Sequence, residues 1–346
     1  MSKTKILITG GAGYIGSHAV IEFLNLGFEI ISVDNLSNSS VKTYDRINQI
    51  TGKLIRHYQM DICNLDLLTK VFEENPDIEG VIHFAALKSV PESVQQPLLY
   101  FRNNVNALLN VLECMKNFQT KYLIFSSSCS VYGNVKQLPV NEETPVEKPE
   151  SPYAYTKVIG EQVIQDFLRI NPWVKASSLR YFNPVGAHSS GLNGELPSNR
   201  PNNLVPVITR TAIGKMPEMS VFGNDYNTRD GSCIRDYIHV SDIADAHVKA
   251  YNFLADRRQP DQYSLFNLGS GKGVTVLEAI SSFEKIANLR LKYKIVPRRE
   301  GDVEAIYSDC SKAKRLLNWI PKNDIDSMMK TAWDWEKNLA TEKIIS

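Results

Sequence analysis

Tyr153 and Lys157 stand four residues apart in Ser151-Pro152-Tyr153-Ala154-Tyr155-Thr156-Lys157. On a helix that spacing projects both side chains from one face. A free tyrosine has a pKa of about 10 and is a poor base at neutral pH. A lysine ammonium beside it favours the phenolate. The pair then becomes a base able to take a proton from an alcohol or sugar hydroxyl. Tyr155 competes for the role, but it lies two residues before Lys157 and faces elsewhere on the helix. Upstream, Phe125-Ser126-Ser127-Ser128 ends an apolar run. Its hydroxyls suit either a turn cap or a hydrogen bond to the reacting oxygen. With Tyr153 and Lys157 downstream, the second reading is favoured.

A partner for that base is written at the N-terminus. Gly10-Gly11-Ala12-Gly13-Tyr14-Ile15-Gly16 follows the apolar Ile6-Leu7-Ile8 and opens a helical pattern. That context marks a dinucleotide loop. Backbone N–H groups at a helix start hold a pyrophosphate, and glycines let it approach. Asp34 ends the second strand-like run, near the spacing of roughly 20 residues expected of an acidic ribose ligand. A carboxylate there accepts from a 2′-hydroxyl and repels a 2′-phosphate, which favours NAD over NADP. A nicotinamide ring adds positive charge near Tyr153, and hydride can leave the carbon whose hydroxyl loses its proton. Asp61, after Leu54–Met60, suits the adenine amino group, although alone it reads as a turn residue. His83-Phe84-Ala85-Ala86 closes a fourth run with small residues that let backbone approach a cofactor. His83 itself reads as a core histidine.

Such groups must be carried on a sheet. Strands are expected at Lys5–Thr9, Glu29–Asp34, Gly80–Phe84, Lys121–Ser126 and Ser177–Tyr181, with helices at Gly16–Leu26, Leu65–Glu74 and Asn103–Asn117. The alternation predicts an α/β fold, a doubly wound parallel sheet of Rossmann type. Its C-terminal strand edge is where ligands lie. Residues 184–235, rich in Gly, Pro and Asn, are expected to be loops of a smaller substrate lobe. Regular patterning returns as a helix at Asp242–Ala255 and a strand at Leu265–Leu268. The expected division is 1–183 for the cofactor and 184–346 for the substrate, partly interleaved.

Composition narrows the partners. The 346 residues carry a net charge of +1, which gives no sign of nucleic acid. No apolar run approaches the roughly 18 residues of a membrane span, and the N-terminus lacks a secretory apolar region. Five scattered cysteines read as free thiols in a reducing, cytoplasmic compartment. Six dispersed histidines offer no metal site.

Further segments complete the pattern: GGAGYIGSH (10–18), DNLSNS (34–39), HFAALKSV (83–90), FSSSCSVYG (125–133), SPYAYTK (151–157), RYFNPVGAH (180–188), PNNL (201–204), FGNDY (222–226), RDYIHVSDIADAH (235–247) and PRREGD (297–302). With these the chain resembles the extended short-chain dehydrogenase/reductase family over nearly its whole length, and within it the UDP-glucose 4-epimerases. The glycine loop and YxxxK are shared widely, whereas several other segments are specific to the epimerases.

The resemblance implies NAD-dependent, reversible epimerisation at carbon 4 of a UDP-hexose, UDP-galactose to UDP-glucose, through a transient 4-keto sugar. It implies Tyr153 as acid/base, Lys157 on the nicotinamide ribose, and Ser128 on the sugar 4-oxygen, each near cofactor and substrate. It places NAD against Gly10, Gly13, Tyr14, Ile15, Gly16, Asp34, Asn35, Leu36, Ser37, Asn38, Ser39, Asp61, Ile62, Phe84, Ala85, Ala86, Leu87, Lys88, Asn103 and Phe182. It places the UDP-sugar against Lys88, Asn183, Asn203, Leu204, Phe222, Arg235, Arg299, Asp302 and Ile306. Arginine forks suit phosphate oxygens, although Arg298-Arg299 alone also reads as a solvated basic pair. A homodimer built by packing helices is implied, and the apolar spacing of Asn103–Asn117 is compatible with it.

Other readings make separate demands. A nucleotide-sugar 4,6-dehydratase of the same family places an Asp-Glu pair where Cys129 and Ser130 stand here, so elimination lacks its general acid and base. A non-catalytic NAD-sensing protein has no need of Ser128, Tyr153 and Lys157 together. At the Ile306 position, relatives with tyrosine exclude an N-acetyl group and those with cysteine or serine admit it. Isoleucine is intermediate and stiff, so UDP-galactose and UDP-glucose are expected to be preferred. A broader UDP-N-acetylhexosamine 4-epimerase is the alternative.

Overall fold

The computed structural model describes residues 3–196, 201, 203–299 and 302–345. Asn202 of the PNNL segment and Glu300 and Gly301 of PRREGD lie outside the described residues. The strands are β1 (Lys5–Thr9), β2 (Glu29–Asp34), β3 (Arg56–Gln59), β4 (Ile78–His83), β5 (Tyr122–Ser128), β6 (Lys175–Tyr181), β7 (Asn183–Val185), β8 (Met219–Phe222), β9 (Ile234–His239), β10 (Tyr263–Leu268), β11 (Gly273–Thr275), β12 (Tyr293–Val296) and β13 (Ala305–Ile306).

The main sheet has seven strands, all parallel, in the order β10-β6-β5-β4-β1-β2-β3. Successive side chains of β1 enter opposite layers. Ile6 and Ile8 join one apolar cluster with Val20, Phe23 and Ile124, and Leu7 joins another with Val33, Leu108 and Leu123. Burial on both faces explains why β1 is a nearly uninterrupted apolar run. Strand order reverses between β4-β1 and β1-β2, which opens a crevice beyond their C-terminal ends.

Strand and helix edges differ from expectation by a few residues. The larger differences are two. The expected helix Asn103–Asn117 begins with one wider, π-helical turn at Phe101–Val105, and the α-helix runs from Asn106 to Asn117. The expected loop region 184–235 contains β7, the helix Leu204–Ala212 and β8. Pro206 falls in that helix's first turn, where its missing N–H is tolerated. Val205 and Ile208 bury against Phe283, Met328 and Met329 in the smaller lobe's own core. Apolar packing therefore overrides the polar, Gly-rich context.

The later chain returns to the first layer. The helix Val240–Ala255 packs on the helix Tyr14–Asn25, and β10 pairs with β6. The smaller lobe is built on β11, β9, β13 and β7, with β8 and β12 paired separately. Among the described residues, no helix is long and apolar enough to cross a membrane.

Candidate active site

Ser128 ends β5, and its Oγ accepts from the Ser130 N–H at 3.2 Å. The helix Pro152–Ile170 starts beside it. The Ser151 hydroxyl caps that helix by accepting from Ala154 N–H at 3.2 Å, and Pro152 occupies the first turn. Gly160 lets the helix lie against β5, since a Cβ there would come within 2.6 Å of the Phe125 ring. Tyr153 and Lys157 share one face, with Lys157 Nζ 5.9 Å from the Tyr153 ring centre. Lys157 Nζ donates to the Ser126 carbonyl at 2.7 Å. Tyr155 is 48% exposed and turns away toward Phe101.

Burial dominates the protonation of this corner. It pushes the Tyr153 phenol up to about 12, against the Ser128 hydroxyl, which favours the phenolate. It pushes Lys157 down to about 8, while the Glu161 carboxylate one turn along holds the ammonium up. Within the chain itself burial therefore outweighs the Ser128 hydrogen bond, and the expected net lowering of Tyr153 is not reached. Glu161 is held by Arg180 through two bonds of 2.9 and 2.6 Å, and Ser127 Oγ donates to it at 2.5 Å. This buried ion pair ties β5, β6 and the Tyr153 helix together. His83 lies beneath, its Nδ1 2.8 Å from Thr9 Oγ1, and burial pushes its pKa down to about 3.

The glycine loop adjoins this corner. Gly10 has φ +72°, and a Cβ there would lie 2.8 Å from the Ala85 backbone nitrogen. At Gly16 a Cβ would drive into the Gly10 carbonyl oxygen. Gly13 precedes the helix Tyr14–Asn25 and provides no side-chain cap. The first N–H groups of that helix, at Tyr14, Ile15 and Gly16, are thus available to an anion. Asp34 shapes the neighbouring loop. Its Oδ2 accepts from Ala12 N–H at 3.0 Å, and its Oδ1 from Leu36 N–H and Ser39 Oγ, both at 2.9 Å. Leu36 adopts φ +59°, and Asn35 Oδ1 accepts from Ser37 N–H at 3.0 Å. Asp61 is exposed and accepts from Cys63 N–H at 2.9 Å, while Ile62 is buried.

Phe84, Ala85, Ala86 and Leu87 are half-buried and follow β4 across the crevice mouth. Sequence reasoning missed the residue that fixes them. Asn104 accepts from Leu87 N–H at 2.9 Å and donates to Leu87 O and Thr156 Oγ1, both at 3.0 Å. Asn103 Nδ2 in turn donates to Asn104 Oδ1 at 3.0 Å. A buried asparagine on the wide helical turn thus joins the small-residue loop to the Tyr153 helix. A polar residue amid the apolar spacing of that helix was the available signal.

The opposite wall comes from the smaller lobe. Arg299 donates to both oxygens of Asp302, at 2.8 and 3.2 Å, and its guanidinium lies 5.2 Å from the Phe222 ring centre. Arg235, on β9, reaches the same Asp302 at 3.5 Å and the Val303 carbonyl at 2.8 Å. Arg298 leaves this group, pairing with Asp225 at 2.8 Å and covering Tyr226. The basic pair is therefore split between two tasks. Ile306 sits opposite Arg235 and is buried in one cluster with Phe182 and Tyr132. Asn183 opens β7, and Leu204 opens the helix Leu204–Ala212. Lys88 and Asn203 meet at Glu195, each 3.1 Å from its Oε1. Cys129 and Ser130 form the turn after Ser128, so no carboxyl group stands there.

The chain is similar to known proteins over nearly its whole length. The family described as GDP-mannose 4,6 dehydratase matches residues 7–332. The UDP-glucose 4-epimerase of Pasteurella multocida is 48% identical over 333 residues, covering 96% of this chain and 97% of the relative. The structure of UDP-glucose 4-epimerase from Stenotrophomonas maltophila, with bound NAD and formylated UDP-arabinopyranose, superposes with a TM-score of 0.94. It is 42% identical, covering 98% of this chain and 99% of that one. The Bifidobacterium longum enzyme in complex with NAD+ and UDP gives a TM-score of 0.92 at 44% identity, covering 97% and 98%. The likeness spans both lobes, and the chain belongs to the UDP-glucose 4-epimerases, within the broader family described as GDP-mannose 4,6 dehydratase.

Proposed function

We propose that this chain interconverts UDP-galactose and UDP-glucose by NAD-dependent epimerisation at carbon 4. The observation that carries the reading is the meeting of Ser128, Tyr153 and Lys157 at the C-terminal end of β5, beside the glycine loop, with no carboxyl group at 129 or 130. A dehydratase would need that carboxyl group to remove water.

The cradle fits NAD. It offers an uncapped helix start, glycines at which a Cβ would strike neighbouring backbone, and a carboxylate at Asp34. Asp34 accepts three bonds within the chain, and a carboxylate has about four acceptor positions. A ribose hydroxyl can take the remaining one, whereas a 2′-phosphate would be repelled. Bound NAD would supply a positively charged ring, the acceptor for the hydride of carbon 4 and, once reduced, the donor that returns it.

The chain's own groups do the rest. Tyr153 takes the proton of the sugar 4-hydroxyl, and Ser128 hydrogen-bonds the same oxygen. Lys157, fixed by the Ser126 carbonyl, holds positive charge beside the phenol. Arg235, Arg299 and Asp302 grip the UDP end, with Phe222 as a flat neighbour. The sugar, oxidised at carbon 4, then turns within the pocket and presents its other face. Tyr153 returns the proton. Nucleotide anchoring must be firm and sugar contacts weak, which suits arginines at one end and the apolar Ile306 and Phe182 at the other.

The roles lie in two lobes, 1–183 for the cofactor and 184–346 for the sugar nucleotide, with 240–268 returned to the first layer. A homodimer is part of the reading. Val94, Leu98 and Leu99, on the helices Val90–Gln95 and Pro97–Tyr100, are 60%, 66% and 43% exposed. Leu109 and Tyr155, on the flanking helices, are 44% and 48% exposed. Apolar groups exposed together suit a helical partner surface. Five free cysteines suit a reducing cytoplasm. The test is chromatography of products from UDP-galactose, with and without added NAD. UDP-glucose formed without added NAD supports epimerisation with a retained cofactor. A 4-keto-6-deoxy product would overturn the reading in favour of dehydration.

A further inference from the structure

We infer that Glu195 is a positioning residue, holding Lys88 and Asn203 in register across the crevice between the lobes. The inference rests on the proposed epimerase reading and adds a residue to it. Glu195 Oε1 accepts from Lys88 Nζ and from Asn203 Nδ2, both at 3.1 Å. Lys88 follows the small-residue loop of the cofactor side, and Asn203 immediately precedes the helix Leu204–Ala212 of the substrate side. A single carboxylate oxygen therefore joins two groups that the reading assigns to cofactor and sugar nucleotide.

The bridge is built on a fixed backbone. The Glu195 carbonyl accepts from the Trp335 indole N–H at 2.9 Å. Gly194 lies flat on that indole, where a Cβ would come within 2.5 Å of the ring. Asn193 donates to Ser17 Oγ at 2.9 Å, on the helix that starts at the glycine loop. Glu195 also lines a crevice with Tyr14, Gly186 and Trp335. Its segment is thus tied to both lobes before a ligand arrives.

Energetics distinguish orientation from stability. The Lys88 side chain is 61% exposed and that of Glu195 only 14%. An ion pair with one exposed partner contributes little to folding. Its use lies in direction. Free Lys88 and Asn203 side chains would lose rotamer freedom on binding, and the carboxylate removes part of that loss beforehand. It also offsets the Lys88 charge, so that the grip on phosphate rests with Arg235 and Arg299.

The test compares the full-length wild type with Glu195→Ala and Glu195→Gln, alone and combined with Asn203→Ala, on UDP-galactose. Glu195→Ala should raise KM about tenfold, with kcat changed less than about threefold. Glu195→Gln, which keeps an acceptor oxygen, should recover most of that loss. In the Asn203→Ala background the effect of Glu195→Ala should shrink to less than about threefold. An unchanged KM in Glu195→Ala overturns the inference, as does an equal effect with or without Asn203. So does a loss that Glu195→Gln repeats in full alongside a lowered Tm, which would mark a structural role. Absence of turnover by the wild type overturns the epimerase reading itself, and this inference with it.

Discussion

The Tyr153 corner and the Arg235–Arg299 wall solve opposite problems. At the corner every group is placed by regular structure: Ser128 by a strand end, and Tyr153 and Lys157 by a capped helix lying against β5. Charge there is buried, and burial sets the protonation. At the wall Arg299 lies outside any strand or helix, is half-exposed, and is paired with Asp302 rather than buried. Arg235 shares the corner's regular placement, on β9 with a side chain only 15% exposed, so the contrast lies with Arg299. On the proposed reading, chemistry falls to the corner and part of the grip to an exposed, ion-paired arginine. A pocket in which a sugar must turn while its nucleotide stays fixed needs both.

The largest effect is expected from Tyr153→Phe. Loss of the acid/base should lower kcat about a thousandfold, while the Tm stays near that of the wild type, as thermal unfolding would show. A small kcat effect would mean that the corner is not the chemical site. At the wall, Arg235→Ala should raise KM for UDP-galactose about thirtyfold by removing a charged partner of phosphate. Arg298→Ala, whose guanidinium pairs with Asp225, should change KM less than about twofold in the same assay. Equal effects of the two would erase the split of the basic pair.

Acid sharpens the difference further. His83 under the corner has its folded pKa pushed down by burial, from 6.5 to about 3. Its contribution to stability is complete above pH 6.5 and is lost as pH falls toward 3, at about 1.4 kcal/mol per pH unit. Between pH 7 and pH 5, the wild-type Tm should therefore drop further than that of His83→Gln. Ile306 tests where rigidity meets specificity. Ile306→Ser should raise kcat/KM for UDP-N-acetylglucosamine about tenfold. No gain would place the gate elsewhere.

The corner was legible in sequence because its signals are local. YxxxK needs only a helix, and the serine run needs only a strand end at the right edge. The glycine loop is local too, and Gly10 proves necessary where Ala85 crowds it. The wall was legible only through resemblance, since Arg298 and Arg299 are indistinguishable until Asp225 and Asp302 are placed. The helix Leu204–Ala212 was hidden because polar, Gly-rich neighbours mask an apolar face that only the smaller lobe's core reveals. Glu195 was invisible because its partner Lys88 lies 107 residues away in the chain. Asn104 reads as one more polar residue until the wide turn at Phe101–Val105 directs it to Leu87.

In the proposed reaction, hydride leaves carbon 4 and returns to the same carbon without leaving the pocket. UDP-galactose deuterated at carbon 4, converted in ordinary water and examined by NMR, tests it directly. The expected product is UDP-glucose with the deuterium retained at carbon 4. Washout of the label to solvent would contradict it, because the hydrogen would then have moved as an exchangeable proton.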